Sequence, residues 1–337
     1  MRKIIAAGAA ITMGLALAAC GGNTSQTPAS SGGDTAASSQ APATSSTAKP
    51  YIAIVSKGFQ HQFWQAVKSG AEQKAQELNV DMTFDGPADE TQVEAQMTML
   101  DNALAKNPSA IGFAALDSKA AEATLEKIKA ANIPVIAFDS GVDSDIPVTT
   151  AATDNTAAAK EGAKHMCELI GNKGKVGVIV HDQVSKSGVD RRDGFLDGMK
   201  EYCPDVTVLE PQYGNGDQAK SADIAKSIMT ANPDLTGIFG SNEGSAIGAL
   251  KGIQEAGMSG KITLVGFDSG KAQTDAIRDG TMAGAITQDP VGMGEAVVDA
   301  AVKAINGETL PSFIDTGFYW YDKSNIDDPT IAAVLYD

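Results

Sequence analysis

From about residue 50 onward the chain alternates short apolar runs with longer stretches in which apolar residues recur at helical spacing. The apolar runs occupy residues 52–55, 82–84, 110–115, 134–138, 175–180, 206–209, 237–239, 262–267 and 283–286. Each has the length of a buried strand and is too short for a core helix. Helical patterns separate most of them, among them residues 92–104, 120–131, 156–170, 188–202, 218–231, 245–256 and 292–305. The first unit sets the pattern: Tyr51-Ile52-Ala53-Ile54-Val55, a polar turn, then Phe63, Val67 and Ala71 on one helix face. Strands alternating with helices predict an α/β fold of parallel sheets covered by helices on both faces. In such sheets the turn after a strand lies at the edge where ligands bind. The first turn carries His61, Gln62, Phe63 and Trp64, so one of three histidines and one of two tryptophans sit at that edge.

The order of motifs repeats. Tyr51-Ile52-Ala53-Ile54-Val55 has a counterpart in Val176-Gly177-Val178-Ile179-Val180, and Asn107-Pro108 in Asn232-Pro233. Ile136-Ala137-Phe138-Asp139-Ser140-Gly141 returns as Val265-Gly266-Phe267-Asp268-Ser269-Gly270. Matches in the same order at a nearly constant offset predict two similar domains. Each domain ends its fourth strand on an Asp, and facing edges would put Asp139 and Asp268 on opposite sides of one cleft. An Asp after a strand is also a common helix cap, because its carboxylate accepts orphan backbone N–H groups. Taken singly, either Asp reads better as a cap.

Composition narrows the field. The chain of 337 residues is 43% hydrophobic with a net charge of −16 and no basic cluster. That describes a soluble globular protein and excludes nucleic acid as a partner, since phosphate binding needs clustered Lys and Arg. Residues 1–19 read as a signal peptide: Arg2 and Lys3 precede an apolar stretch too short for a confident membrane span. It ends in Leu17-Ala18-Ala19-Cys20-Gly21, which resembles a bacterial lipobox and implies cleavage before Cys20 and lipidation of that residue; the plainer reading is an ordinary signal peptide with an incidental Cys. Residues 20–49 are rich in Ser, Thr, Ala, Gly and Gln and cannot bury a core, so a disordered tether is expected there. Cys167 and Cys203 each fall near the end of a predicted helix. A disulfide and two buried thiols are both open to an exported chain.

Enzyme signatures are missing. There is no Gly-x-Ser-x-Gly elbow, no phosphate loop and no His-Glu-x-x-His. Gly214-Asn215-Gly216-Asp217-Gln218-Ala219 fits a dinucleotide pattern, but it follows the second strand of its domain rather than the first. His61, His165 and His181 are scattered and Cys167 has no Cys close in sequence, so neither a metal nor a cofactor is expected.

With these motifs in order, the body from about Lys49 to the end resembles the periplasmic ribose- and galactose-type sugar-binding proteins, the receptor components of ABC importers. The resemblance lies in Gln62-Phe63-Trp64, residues 133–139, Ala152-Thr153-Asp154-Asn155, Arg191-Arg192-Asp193-Gly194-Phe195, Ser241-Asn242-Glu243, Val265-Gly266-Phe267-Asp268 and Gln288. The lactose-repressor class shares this core but carries a DNA-binding headpiece, where this chain has the lipobox and a neutral linker. The resemblance implies the type I periplasmic-binding-protein fold: two similar doubly wound parallel-sheet lobes joined by a three-strand hinge, with crossovers near Thr153-Asp154, Gln288-Asp289 and Gly317. The N-terminal lobe is then residues 50–153 plus 289–317, and the C-terminal lobe residues 154–288 plus 318–337. It implies a monomer that is exported, lipid-anchored at the outer face of the cytoplasmic membrane, and partnered with ABC permease subunits. It also implies closure of the lobes on a monosaccharide or similar polyhydroxyl ligand.

Residue roles follow from the same resemblance. Phe63 and Trp64 match the aromatics that sandwich a sugar ring, whose C–H face suits the negative face of an aromatic. His61 matches a polar position that bonds a hydroxyl, Asp139 and Asp268 the carboxylates that accept hydroxyl protons, and Arg191, rather than Arg192, the basic donor. Asn242 and Gln288 match amides that donate and accept. Tyr213 is a candidate aromatic from the second lobe, Ser140 a further polar candidate, and Asp117 and Glu243 read as caps or supports at the cleft edge. Two departures bear on specificity. Ribose-type members usually have Asp-Arg where this chain has Asp139-Ser140, and an Asn where it has Ala114 or Ala115, so ribose is not expected to be the preferred ligand. A sensor that presents its bound form to a chemoreceptor or kinase would need the same pocket, and a furanosyl signal or nucleoside remains open as ligand, since Trp64 would stack a base as well as a sugar.

Overall fold

The structure is a computed structural model that describes residues 49–336. The signal peptide, Cys20 and nearly all of the tether expected before residue 49 lie outside the described residues. The strands fall into two sheets. The first holds β1 (Tyr51–Val55), β2 (Asp81–Asp85), β3 (Ala110–Phe113), β4 (Val135–Phe138), β5 (Thr149–Ala152) and β12 (Phe313–Asp315), in the order β12-β5-β4-β3-β1-β2. The second holds β6 (Lys175–Val180), β7 (Thr207–Val208), β8 (Gln212–Tyr213), β9 (Gly237–Gly240), β10 (Thr263–Phe267), β11 (Gly284–Gln288) and β13 (Phe318–Asp322), in the order β13-β11-β10-β9-β6-β7, with β8 also on β6. The strand pairs are parallel except β11 with β13, which is antiparallel and departs from the purely parallel sheets expected.

Helices α1 (Gln62–Glu77), α2 (Val93–Ala105), α3 (Glu122–Ala130) and α9 (Pro290–Ile305) cover the first sheet. Helices α4 (Asn155–Leu169), α5 (Lys186–Tyr202), α6 (Gln218–Ala231), α7 (Glu243–Glu255) and α8 (Lys271–Asp279) belong to the second, and a short α10 (Pro329–Ala332) packs on the same core. The apolar runs become strands buried on both faces, as parallel sheets require. In β1, Ile52 and Ile54 join the core under α1 and α9, while Ala53 and Val55 join the one under α2 and α3. In β6, Val176, Val178 and Val180 face α4 and α5, and Ile179 faces α6 and α7.

The chain crosses between the sheets three times, from β5 to α4, from β11 to α9 and from β12 to β13. The first and third crossings are tied side by side: Thr153 Oγ1 donates to Gly317 O (3.1 Å), and Thr316 N–H to Ala152 O (3.0 Å). Helix α9 therefore returns from the second lobe and packs closely on α1. A Cβ at Gly70 would overlap the Val291 backbone, and one at Gly294 the Val67 backbone, so the two helices touch backbone to backbone. This contact fixes the helix that carries Phe63 and Trp64. In the second lobe, Cys167 of α4 is bonded to Cys203 just past α5, with Cα atoms 5.7 Å apart. The choice left open by the sequence therefore falls to a disulfide.

Several elements lie beyond what the apolar runs predict. β5 is Thr-Thr-Ala-Ala, and α8 buries Gln273 and Thr274 beside Ala276 and Ile277. Neither carries an aliphatic stripe. β8 and β12 are short, and β13 mixes aromatics with polar residues on an edge.

Candidate ligand-binding site

The carboxyl ends of the two sheets meet across a cleft, and twelve residues line the narrow space between them. From the first lobe, the turn after β1 brings Lys57 and His61, the first turn of α1 brings Phe63 and Trp64, the loop after β2 brings Glu90, and the end of β4 brings Asp139. From the second lobe come His181 after β6, Ser187 and Arg191 on α5, Asn242 after β9, Asp268 after β10, and Gln288 at the end of β11. His61, Phe63, Trp64, Asp139, Arg191, Asn242, Asp268 and Gln288, the residues singled out in the sequence, thus face one space.

Asp139 and Asp268 share an unusual backbone. Both take left-handed conformations, with φ of 54° and 78°, which Asp adopts more readily than most residues. Neither caps a helix that follows it. Asp268 Oδ2 instead accepts from the N–H of Glu243, the first residue of α7 (2.8 Å), and its Oδ1 accepts from Gln288 Nε2 (2.7 Å). Asp139 Oδ2 has no hydrogen-bond partner; Lys57 Nζ stands 3.9 Å away. Burial pushes the Asp139 carboxyl up to about 6, against the pull of Lys57 and Arg191.

Arg191 is held from behind. Its Nε donates to Asn155 Oδ1 (2.7 Å), one Nη to Ser241 O (3.0 Å), and its guanidinium stacks on Phe267 at 3.8 Å. Two of its five N–H groups are thereby used, and the rest retain donor capacity. Arg192 is bonded instead to Asp193 and to the Tyr213 hydroxyl. Asn242 accepts from Ser245 N–H as the cap of α7, which leaves its NH₂ available. Gln288 Oε1 and both ring nitrogens of His61 lack hydrogen-bond partners although buried.

Three expectations change. Tyr213 does not line the cavity, because β8 turns it toward Arg192 and the packing under α5; the part of its loop nearest the space is Gly216, which brings no side chain. Phe63 and Trp64 do not face each other as plates. Adjacent on one helix, their rings stand at 82° with centroids 4.9 Å apart, so they form a corner. Ser140 is buried but stands behind the lining, where its hydroxyl meets that of Ser187 across the cleft at 2.6 Å.

Four lining residues were missed. Lys57 Nζ lies 3.5 Å from Ser140 Oγ and 3.3 Å from Ser187 Oγ. It therefore supplies a cation beside the position where the family's Arg is absent. Burial works against its ammonium, yet Glu90, Asp139 and Asp182 together hold its pKa above the usual lysine value. Glu90 accepts from Trp64 Nε1 (2.8 Å) and fixes that ring; burial would raise it, but Lys57, His61 and His181 keep it below the usual range. Burial holds His181 neutral, with Nδ1 on Ser241 Oγ (2.8 Å). Ser187 joins Lys57, Ser140 and His181. His181 follows directly on β6 and Lys57 stands two residues past β1, so the edge rule alone would have found them.

The residues 52–309 match a family model described as a periplasmic binding protein domain. The chain is 34% identical to an ABC transporter solute-binding protein from Agrobacterium vitis solved with D-fucose, with a TM-score of 0.82 over 85% of this chain and 100% of that one. A second solute-binding protein from the same organism, solved with alpha-D-tagatopyranose, is 33% identical with a TM-score of 0.82 over 86% of this chain and 100% of that one. The ribose import binding protein of Escherichia coli is 28% identical over 78% of this chain and 87% of its own length.

Proposed function

This chain belongs to the periplasmic binding protein domain family, and from that premise we propose that it captures a neutral monosaccharide or related polyol between its two lobes. The family is one of binding proteins that serve importers, so the chain is a receptor and not an enzyme, and it acts outside the cytoplasm. One observation carries the choice of ligand: Asp139 Oδ2, Gln288 Oε1 and the His61 ring are buried without hydrogen-bond partners around a common space. Each buried unpaired group costs about 1–3 kcal/mol, which a ligand rich in hydroxyl groups would relieve. Carboxylates accept those hydroxyl protons, while Lys57, Arg191 and the Asn242 amide donate to hydroxyl or ring oxygens. Asp139, Asp268 and Glu90 outnumber Lys57 and Arg191 by one charge, so the site disfavours an anionic ligand. The corner of Phe63 and Trp64 packs one apolar edge of the ring.

The closing lobes are residues 50–153 with 289–317 and residues 154–288 with 318–337. The protein works as a monomer, delivers its sugar to an ABC permease, and is held at the outer face of the membrane by lipid on Cys20. Ribose is not the preferred sugar, because Ser140 and Ala114 or Ala115 lack the Arg and amide of ribose-type pockets, and Lys57 beside Ser140 offers an ammonium in place of an Arg fork. A nucleoside is the weaker alternative, since rings at 82° close off the flat slot that a base needs. A thermal-shift screen with monosaccharides, polyols and nucleosides tests the reading. A ligand at 100 times its Kd adds about 2.7 kcal/mol of stability. The proposal expects a rise with at least one sugar or polyol; a response to nucleosides alone would overturn it.

A further inference from the structure

Helices α4, α5, α6, α7 and α9 each begin on a residue whose side chain accepts an N–H from its own first turn. Helices α1, α2, α3 and α8 do not; of these, α1 and α8, whose N-caps are His61 and Gly270, start at the cleft. One helix belongs to each lobe, and each is met by an acceptor from across the cleft. Glu243, on the second lobe, accepts from the N–H of Gln62 (3.2 Å) and of Phe63 (3.3 Å) at the start of α1. Gln62 reaches the other way, its Oε1 accepting from the N–H of Lys271 (2.8 Å), the first residue of α8.

We infer that Glu243 and Gln62 form a reciprocal inter-lobe cap that latches the closed state, with Glu243 the positioning residue that joins Asp268 to the helix carrying Phe63 and Trp64. The inference rests on the closing motion proposed above. With the lobes apart, these N–H groups face water. On closure a carboxylate meets the positive end of α1 and an amide oxygen that of α8. Both contacts form together only at one angle between the lobes, so they define where closure stops. Glu243 does not line the cavity itself, but its own N–H is held by Asp268, which does. A continuous chain of bonds thus runs from a ligand-facing carboxylate to the stacking helix.

The test needs no sugar. Ser140 Oγ and Ser187 Oγ lie 2.6 Å apart across the cleft, so a Ser140→Cys/Ser187→Cys protein cross-links when the lobes shut. The rate of that cross-link under mild oxidation samples closure in the ligand-free protein. Adding Glu243→Ala is expected to slow it about tenfold or more, with Glu243→Gln in between because it keeps one acceptor oxygen. Gln62→Ala is expected to slow it as well. A residue that merely stabilised α7 would lower the thermal midpoint without changing this rate. Equal cross-linking rates in the parent and in folded Glu243→Ala or Glu243→Gln protein would overturn the latch. Failure of every sugar to bind would count against the proposed function and would not alter this readout.

Discussion

Asp139 combines a left-handed backbone, near-complete burial and an unpaired carboxylate oxygen. Its value of about 6 gives two dependences of opposite sign. The ionised form accepts sugar hydroxyls, so sugar affinity falls as pH drops through about 6. Stability of the sugar-free protein runs the other way. The folded value lies above the ordinary 3.8, so between these values the folded chain holds a proton that the unfolded chain has released. The contribution of Asp139 therefore raises the thermal midpoint as pH falls from 6 toward 4, and removes that gain above 6. Asp139→Asn should flatten this part of the profile; identical midpoint–pH curves for the two proteins would refute the assignment. At this scale the sequence spoke where a residue sat in a repeated or family-matched motif, as Asp139, Asp268 and Arg191 do. Glu90 and Ser187 sit in no such motif. Their roles depend on which loop meets which across the cleft, and that is a tertiary fact.

Helix α1 shows how an element positions the site. Gly70 and Gly294 let α1 and α9 touch, and Gly70→Ala would place a methyl against the Val291 backbone, which cannot yield as a side chain would. The expected cost is about 1–3 kcal/mol, with weaker sugar binding because α1 carries both rings. A denaturant melt and a binding titration check the two effects. The disulfide provides a contrast. It joins the far ends of α4 and α5, away from Asn155 and Arg191 near their starts, and closes a separation of 36 residues. Cys167→Ser/Cys203→Ser should lose about 2–4 kcal/mol of stability with sugar affinity unchanged. Legibility among elements followed hydrophobic content. β1, β6 and β10 are continuous apolar runs, readable from composition alone. β5 and α8 are polar or small-residue elements that hold their places through neighbours, and the antiparallel direction of β13 follows from the hinge returning the chain to the second sheet.

In the whole molecule the lobes stand closed. Ser118 N–H reaches Val184 O across the cleft (3.1 Å), beside the Ser140–Ser187 pair. A sugar that contacts both lobes binds the closed form better than the open one, so it should shift the population toward the compact form. Arg191→Ala and Asp268→Ala are each expected to abolish the sugar-induced decrease in radius of gyration while leaving the circular dichroism spectrum intact. A normal compaction in either variant would contradict the roles given to those residues. The repeat and the order of strands made two lobes legible in the sequence. The mutual capping of α1 and α8 was not, because Gln62 and Glu243 are remote in sequence and meet only when the hinge shuts. The central claim is that the shut cleft holds a neutral sugar. Its most direct test is calorimetric titration with D-fucose, D-tagatose, ribose and a panel of other monosaccharides and polyols. The account predicts one-to-one binding of at least one of them at about −8 kcal/mol or better, the energy of micromolar affinity, with ribose weaker than the preferred ligand. Folded protein that binds no monosaccharide or polyol would contradict it.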